Sequence, residues 1–371
     1  MTGKERVEKK EGRITRRDFI KYASATAGVT AASIALAKSV SQALPTSTPT
    51  INTEFLHDHA YGVSVPSQRE GAISPMEFLT SFYRGESKTD SQGQAYKEFN
   101  LTAASTAISV ARGVQFPAWV FVGPFGATVP GPTLRATQGD RLVINLHNAD
   151  AHPHTIHLHG IHPALADGVF EDIGPGERYP YDFVAEPFGL FLYHCHVMPV
   201  KKHIAKGLYG AFIVDPPASY GTRPNANEMV MVMNGFDVDF DDENEFYTVN
   251  GIANYFLDNP IQIEVGKLVR IYLVNMTEFD PVNSFHLHGN MFRLYRTGTR
   301  FDGDPAVTAV PPTDPNWLYA DKYAEITDTV FLGQGERAIL EFVPKHTGRF
   351  LFHAHQSEFI ELGWTGLFNV V

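Results

Sequence analysis

From about residue 100 to the C-terminus, apolar and polar residues alternate in short runs separated by glycine and proline. Gly139-Asp140-Arg141-Leu142-Val143-Ile144-Asn145-Leu146 reads as one such strand, entered from a glycine turn. Val265-Gly266-Lys267-Leu268-Val269-Arg270-Ile271-Tyr272-Leu273 repeats that pattern. In both copies an asparagine follows (Asn148, Asn275), and then a His-Leu-His-Gly run. Each copy goes on to a second strand, Gly189-Leu190-Phe191-Leu192-Tyr193 or Gly348-Arg349-Phe350-Leu351-Phe352, and closes on a third, Gly210-Ala211-Phe212-Ile213-Val214 or Gly366-Leu367-Phe368-Asn369-Val370. Short alternating strands between turn signals predict an all-β chain of two β-sandwiches, at 100–217 and 225–371. The linker runs from Asp215-Pro216-Pro217 to Asn227. Residues 44–99 form an N-terminal extension in which Ser74-Pro75-Met76-Glu77-Phe78-Leu79-Thr80-Ser81-Phe82-Tyr83 predicts a capped helix with proline in its first turn.

The first 43 residues differ. Thr15-Arg16-Arg17-Asp18-Phe19-Ile20-Lys21 is a twin-arginine export motif, an Ala/Thr/Gly-rich run follows, and Ser41-Gln42-Ala43 offers a cleavage site. The expectation is export by the twin-arginine route to a periplasmic or other extracytoplasmic place. This segment carries nine Lys/Arg against four Asp/Glu, so the processed chain is more acidic than the −11 of the whole. An acidic surface argues against nucleic-acid binding. No stretch of the processed chain is apolar for long enough to span a bilayer. The single cysteine, Cys195, cannot form an internal disulfide and is either inert or a metal ligand.

Eight of the 16 histidines form four His-x-His pairs at matching places of the two repeats: His157/His159, His194/His196, His286/His288 and His353/His355. On a strand, residues two apart share a face, so each pair aims two imidazoles at one place. Four such pairs at matching positions of two repeats suit metals that favour imidazole, copper first among them. Cys195, between His194 and His196, points the other way, where His154 and His203 can join it. Two histidines and a cysteine are the ligands of a blue-copper electron-transfer site.

His154-Thr155-Ile156-His157-Leu158-His159-Gly160, the His194-Cys195-His196…His203…Leu208 run, and the partner runs at His286 and His353 resemble the copper motifs of multicopper oxidases such as laccases. The resemblance implies two cupredoxin-like Greek-key domains and copper as cofactor, four per subunit. It implies type 1 copper on His154, Cys195 and His203, type 2 copper on His157 and His286, and the type 3 pair on His159, His194, His196, His288, His353 and His355. Leu208 stands at the axial position where many relatives carry Met. The second copy lacks the type 1 set, with Asn283 in place of His154, Ala354 in place of Cys195 and no histidine after His355. That pattern resembles two-domain oxidases whose cluster forms between subunits of a homotrimer. Asp167 resembles the family's proton-relay aspartate, and Glu358 is its candidate counterpart. The remaining histidines, His152 and His162 among them, fit no ligand spacing and read as surface residues.

The expected reaction takes electrons one at a time from a small reducing substrate and reduces dioxygen to water. A copper nitrite reductase, needing only a three-histidine catalytic site, and a non-catalytic blue-copper carrier are the alternatives. The eight methionines form no Met-rich segment, so cuprous oxidation is not signalled, and phenols, metal ions and small inorganic nitrogen compounds all stay open as electron donors.

Overall fold

The computed structural model describes residues 72–220, 224–296 and 324–371, with 311, 314 and 316–321 between them. The export signal at 1–43 and the first part of the extension lie outside the described residues. Among those described, no helix is long and apolar enough to cross a membrane.

The first sandwich pairs two five-stranded sheets. One contains Thr133–Thr137, Tyr209–Asp215, Gly189–His194 and the short His157–Leu158, and the other is built on Ala95–Ala111, Val114–Val122, Arg141–Asn148 and Arg178–Val184. In the second sandwich, Ile261–Ile263, Thr365–Val370, Gly348–His353, Val282–Leu287 and Thr329–Gly333 form one sheet. The facing sheet includes Asn227–Phe236, Val269–Asn275 and Arg337–Phe342. Successive strands cross between the sheets, and the pairing repeats. Ala95–Ala111 runs parallel to Arg141–Asn148 as Asn227–Phe236 does to Val269–Asn275. His157 lies opposite His194 as His286 lies opposite His353.

The first sandwich begins earlier than the expected boundary at 100. Phe82–Tyr83 pairs with Thr133–Thr137, Glu86–Thr89 pairs with Ala95–Ala111, and that long strand itself straddles residue 100. The end of the extension therefore belongs to the first domain. The expected capped start is present, with Ser74 and Glu77 exchanging hydrogen bonds in a capping box, but the helix spans only Pro75–Phe78 and does not reach Tyr83, because Phe82–Tyr83 pairs as a strand instead.

Arg141–Asn148 shows the alternation of a strand with one dry face, Leu142, Ile144 and Leu146 being buried. Val269–Asn275 is buried at every position instead. Val269, Ile271 and Leu273 face the core of their own sandwich, whereas Tyr272 and Val274 join a separate apolar layer. That layer takes Leu190, Leu192 and Ile213 from the first domain and Val230, Val232 and Ile339 from the second. Buried apolar area of this kind is the dominant favourable term in association, so the domains share a core. At its edge the guanidinium of Arg135 binds Asp215 through two bonds of 2.8 Å and Glu228 at 2.6 Å, while Arg270 reaches Glu228 at 3.1 Å and Glu341 at 2.6 Å.

Candidate metal centre

Three donors from three places converge in the first domain. His154 sits on a bridge to Ile173, Cys195 lies just beyond the strand Gly189–His194, and His203 is on the short helix Val200–Ala205. The His203 Nδ1 is 3.2 Å from the Cys195 Sγ and 3.2 Å from the His154 Nδ1, and the His154 Nδ1 is 3.9 Å from that sulfur. All three side chains are buried, as is Leu208, which packs in the same apolar cluster as Cys195. Burial, then the neighbouring His154, pushes His203 down to about 3, so it is a neutral imidazole with a free lone pair at ordinary pH. Burial raises the Cys195 thiol, a cost that a bound cation offsets. The Thr155 amide donates to the sulfur at 3.4 Å.

Two histidine tetrads stand apart from this pocket. In the first domain the His157 ring lies 5.1 Å from His159, 5.3 Å from His194 and 5.3 Å from His196. In the second the His286 ring lies 4.9 Å from His288, 5.2 Å from His353 and 5.3 Å from His355. Their hydrogen bonds match as well. The His194 Nδ1 donates to the Cys195 carbonyl at 2.9 Å and the His353 Nδ1 to the Ala354 carbonyl at 2.6 Å. With Nδ1 carrying the proton, each Nε2 presents a lone pair. These Nε2 atoms face those of His159 at 3.3 Å and His288 at 2.9 Å. Such an arrangement is satisfied by a cation held between the rings. Burial, followed by the charge of neighbouring imidazoles, drives His159 down to about 3, and burial drives His194 down to about 4. Among the described residues, no group of side chains close enough to hold one metal mixes the two tetrads.

His157 and His286 are oriented by a repeated device. The His157 Nδ1 donates to the Asp167 carbonyl at 2.8 Å, with the Asp167 carboxylate 3.3 Å away. The His286 Nδ1 donates to the Asp328 carbonyl at 2.9 Å, with that carboxylate 4.0 Å away. Asp328 is thus the counterpart of Asp167 in hydrogen bonding, whereas Glu358 is exposed in the first turn of helix Ser357–Glu361. Asp167 approaches so closely because Gly168 follows it at φ +71, where an added Cβ would meet the Ile156 carbonyl oxygen at 2.0 Å.

Sequence spacing missed Asp328 because it sits 42 residues from His286, at the bend just before the strand Thr329–Gly333 that pairs with the strand of His286. Two histidines read as surface residues are not ordinary ones. The His162 Nε2 donates to the Leu158 carbonyl at 2.8 Å and lies 3.8 Å from the Asp167 carboxylate, and its side chain is only 10 % exposed. His152 bonds the buried Asp150 at 3.1 Å, whose other oxygen is 3.6 Å from the His154 Nε2. Burial opposes ionisation of Asp150, but hydrogen bonds from His154, Ser105 and His152 hold it well below the usual carboxylate range.

Two family models described as multicopper oxidase match residues 105–219 and 224–371. A crystal structure of a multicopper oxidase superposes with a TM-score of 0.71 at 44 % identity, covering 83 % of this chain and 100 % of that one. The chain belongs to the multicopper oxidase family. A copper nitrite reductase from Nitrosomonas europaea superposes with a TM-score of 0.61 at 25 % identity, over 74 % of this chain and 93 % of that one. The copper-containing nitrite reductase of Neisseria gonorrhoeae is 27 % identical over 54 % of this chain, and the chain spans about half that relative's length, 54 %. Copper is the metal of the family, and the donors of this multicopper oxidase chain fit it. A buried thiol with two Nδ1 donors suits a one-electron copper site, and imidazole Nε2 pairs suit copper ions side by side.

Proposed function

We propose that the chain is an exported two-domain oxidase that couples one-electron oxidation of a small reducing substrate to the reduction of dioxygen to water. His154, Cys195 and His203 would hold type 1 copper, with Leu208 at its non-coordinating axial side. His157 and His286 would hold type 2 copper, and His159, His194, His196, His288, His353 and His355 the type 3 pair, making four ions per subunit. Bound copper supplies the electron transfer and the oxygen chemistry. The chain's residues supply the rest. Backbone carbonyls fix the tautomer of His157, His194, His286 and His353, and the Asp167 carboxylate, 3.3 Å from the His157 Nδ1, is placed to relay protons. Glu358 is proposed as a second proton carrier.

The observation that carries this reading is the presence of two matching tetrads that, among the described residues, no single-metal group unites. Each tetrad is half a cluster, and we read the cluster as formed between the first domain of one subunit and the second domain of the next in a homotrimer. Exposed apolar residues next to each half support that pairing: Ile161 and Phe170 beside the first, Met291 beside the second. The nitrite reductase relatives favour a second reading with a three-histidine catalytic copper, but eight paired imidazoles exceed its need. Metal analysis separates the readings, with about four coppers per chain expected for the oxidase, about two for a nitrite reductase and about one for a carrier.

The inter-subunit cluster is tested by complementation. Cys195→Ser and the double variant His288→Ala/His355→Ala should each lose oxygen reduction. Co-expressed, they should recover part of it, because an intact first domain then meets an intact second domain from another chain. Purified mixed oligomers without recovered oxygen uptake would overturn the shared cluster.

A further inference from the structure

The donors of the Cys195 pocket do not face solvent. His154 and Cys195 are 0 % exposed and His203 3 %. One indole packs against both histidine donors. The Trp119 ring centroid is 5.3 Å from that of His154 and 4.8 Å from that of His203. Trp119 is itself 3 % exposed and belongs to the strand Val114–Val122. Two hydrogen bonds fix that strand to the end of the helix bearing His203: the Trp119 amide to the Lys206 carbonyl at 2.9 Å, and the Lys206 ammonium to the Pro117 carbonyl at 3.0 Å. Two groups that do reach solvent lie on the same indole. The His152 ring is 4.8 Å away with its side chain 34 % exposed, and the Lys202 ammonium is 5.3 Å from the ring centroid. The indole therefore touches both donor imidazoles and both groups that reach solvent, and on the His154 side the buried Asp150 lies 3.1 Å from the His152 Nδ1 and 3.6 Å from the His154 Nε2.

We propose that Trp119 is the specificity-determining contact for electron entry. It packs on the His154 and His203 rings, so an electron from an outside donor reaches the Cys195 site through the indole. One electron leaves the donor, which is oxidised by one, and is gained at the Cys195 site. No bond forms to the indole and no proton is transferred. The indole bridges the gap because electron tunnelling falls off steeply with distance and is far weaker across empty space than through packed atoms. This role rests on the copper assignment of the Cys195 pocket.

The test uses the full copper-loaded protein. Hexacyanoferrate(II), a coordinatively saturated one-electron reductant, is mixed with it anaerobically and the loss of the thiolate-to-copper absorption is timed. Trp119→Leu should slow that loss by roughly an order of magnitude, with the band of the oxidised protein unchanged in position and intensity. Trp119→Phe, which keeps an aromatic ring, should retain most of the rate. A second readout needs no turnover. Copper titrated into metal-free protein should quench the Trp119 emission, taken as the difference between wild type and Trp119→Phe, in step with growth of the band. If Trp119→Leu takes up no copper, this titration and the Trp119→Phe rate decide alone. An intact band lost at the wild-type rate in Trp119→Leu, or Trp119 emission unquenched when the band is complete, would overturn the proposal. A wild-type protein without the band would instead overturn the copper assignment, and the role of Trp119 with it.

Discussion

The two domains keep one backbone scheme and differ in what fills it. The Cys195 amide donates to the Leu208 carbonyl at 2.9 Å, and the Ala354 amide to that of Trp364 at 3.3 Å. The Leu208 amide returns to the His203 carbonyl at 3.2 Å, and the Trp364 amide to that of Phe359 at 2.8 Å. The His196 amide bonds the Thr155 hydroxyl at 3.1 Å, and the His355 amide the Ser284 hydroxyl at 2.7 Å. Asn283, Ala354, Phe359 and Trp364 therefore stand where the first domain has His154, Cys195, His203 and Leu208. The Trp364 indole N–H donates to Asn283 at 3.0 Å, and Phe359 stacks on Tyr247 at 3.7 Å between ring centroids. A cluster of three side chains that could hold a metal in one domain is a packed, hydrogen-bonded core in the other. The fold does not make a metal site; side chains do. Filling the pocket rather than leaving it open preserves the strand ends that aim His353 and His355.

The strongest way to break this comparison is spectroscopic. Cys195→Ser should abolish the intense visible band of the copper-loaded protein, and Ala354→Cys should create none, because Phe359 and Trp364 occupy the space. A new band in Ala354→Cys would show that the second pocket still admits a metal. Next in size is a packing effect. Trp364→Ala should lower the stability of the metal-free protein by about 3–5 kcal/mol in denaturant unfolding, through the cavity it leaves and the stranded Asn283. A loss under about 1 kcal/mol would mean that the indole is not the filling.

The carboxylates sharpen the comparison at the tetrads. Asp167→Asn should slow oxygen reduction by roughly 100-fold while leaving the visible band intact, as expected for loss of a positioned proton carrier. Asp328→Asn, whose carboxylate is 4.0 Å rather than 3.3 Å from its histidine, should slow it less. Equal effects in oxygen-uptake assays would mean that the two act alike. Smallest is Leu208→Met. It should lower the potential of the Cys195 copper in a redox titration and change stability by less than about 1.5 kcal/mol, since the volumes match. An unchanged potential would remove Leu208 from the axial position.

Much of this was legible in the sequence because the chain repeats itself and strand periodicity is local. The four His-x-His pairs, the cysteine between two of them and the loss of Cys and His from the second copy are all readable without coordinates. So is the capped helix at Ser74, since a capping box spans one turn of chain. What the sequence left open involves contacts between distant segments. Asp328 meets His286 through strand pairing, and Trp119 packs on His154 and His203 from another strand. Trp364 fills a pocket whose emptiness the missing histidine suggested but whose filling it could not show. The sequence by itself determined the strands, their repetition and the donor inventory, because each depends on residues close along the chain. Only the tertiary structure decided which donors share a pocket, that the domains share a core, and that the tetrads stand apart, because each depends on packing between segments with no common period.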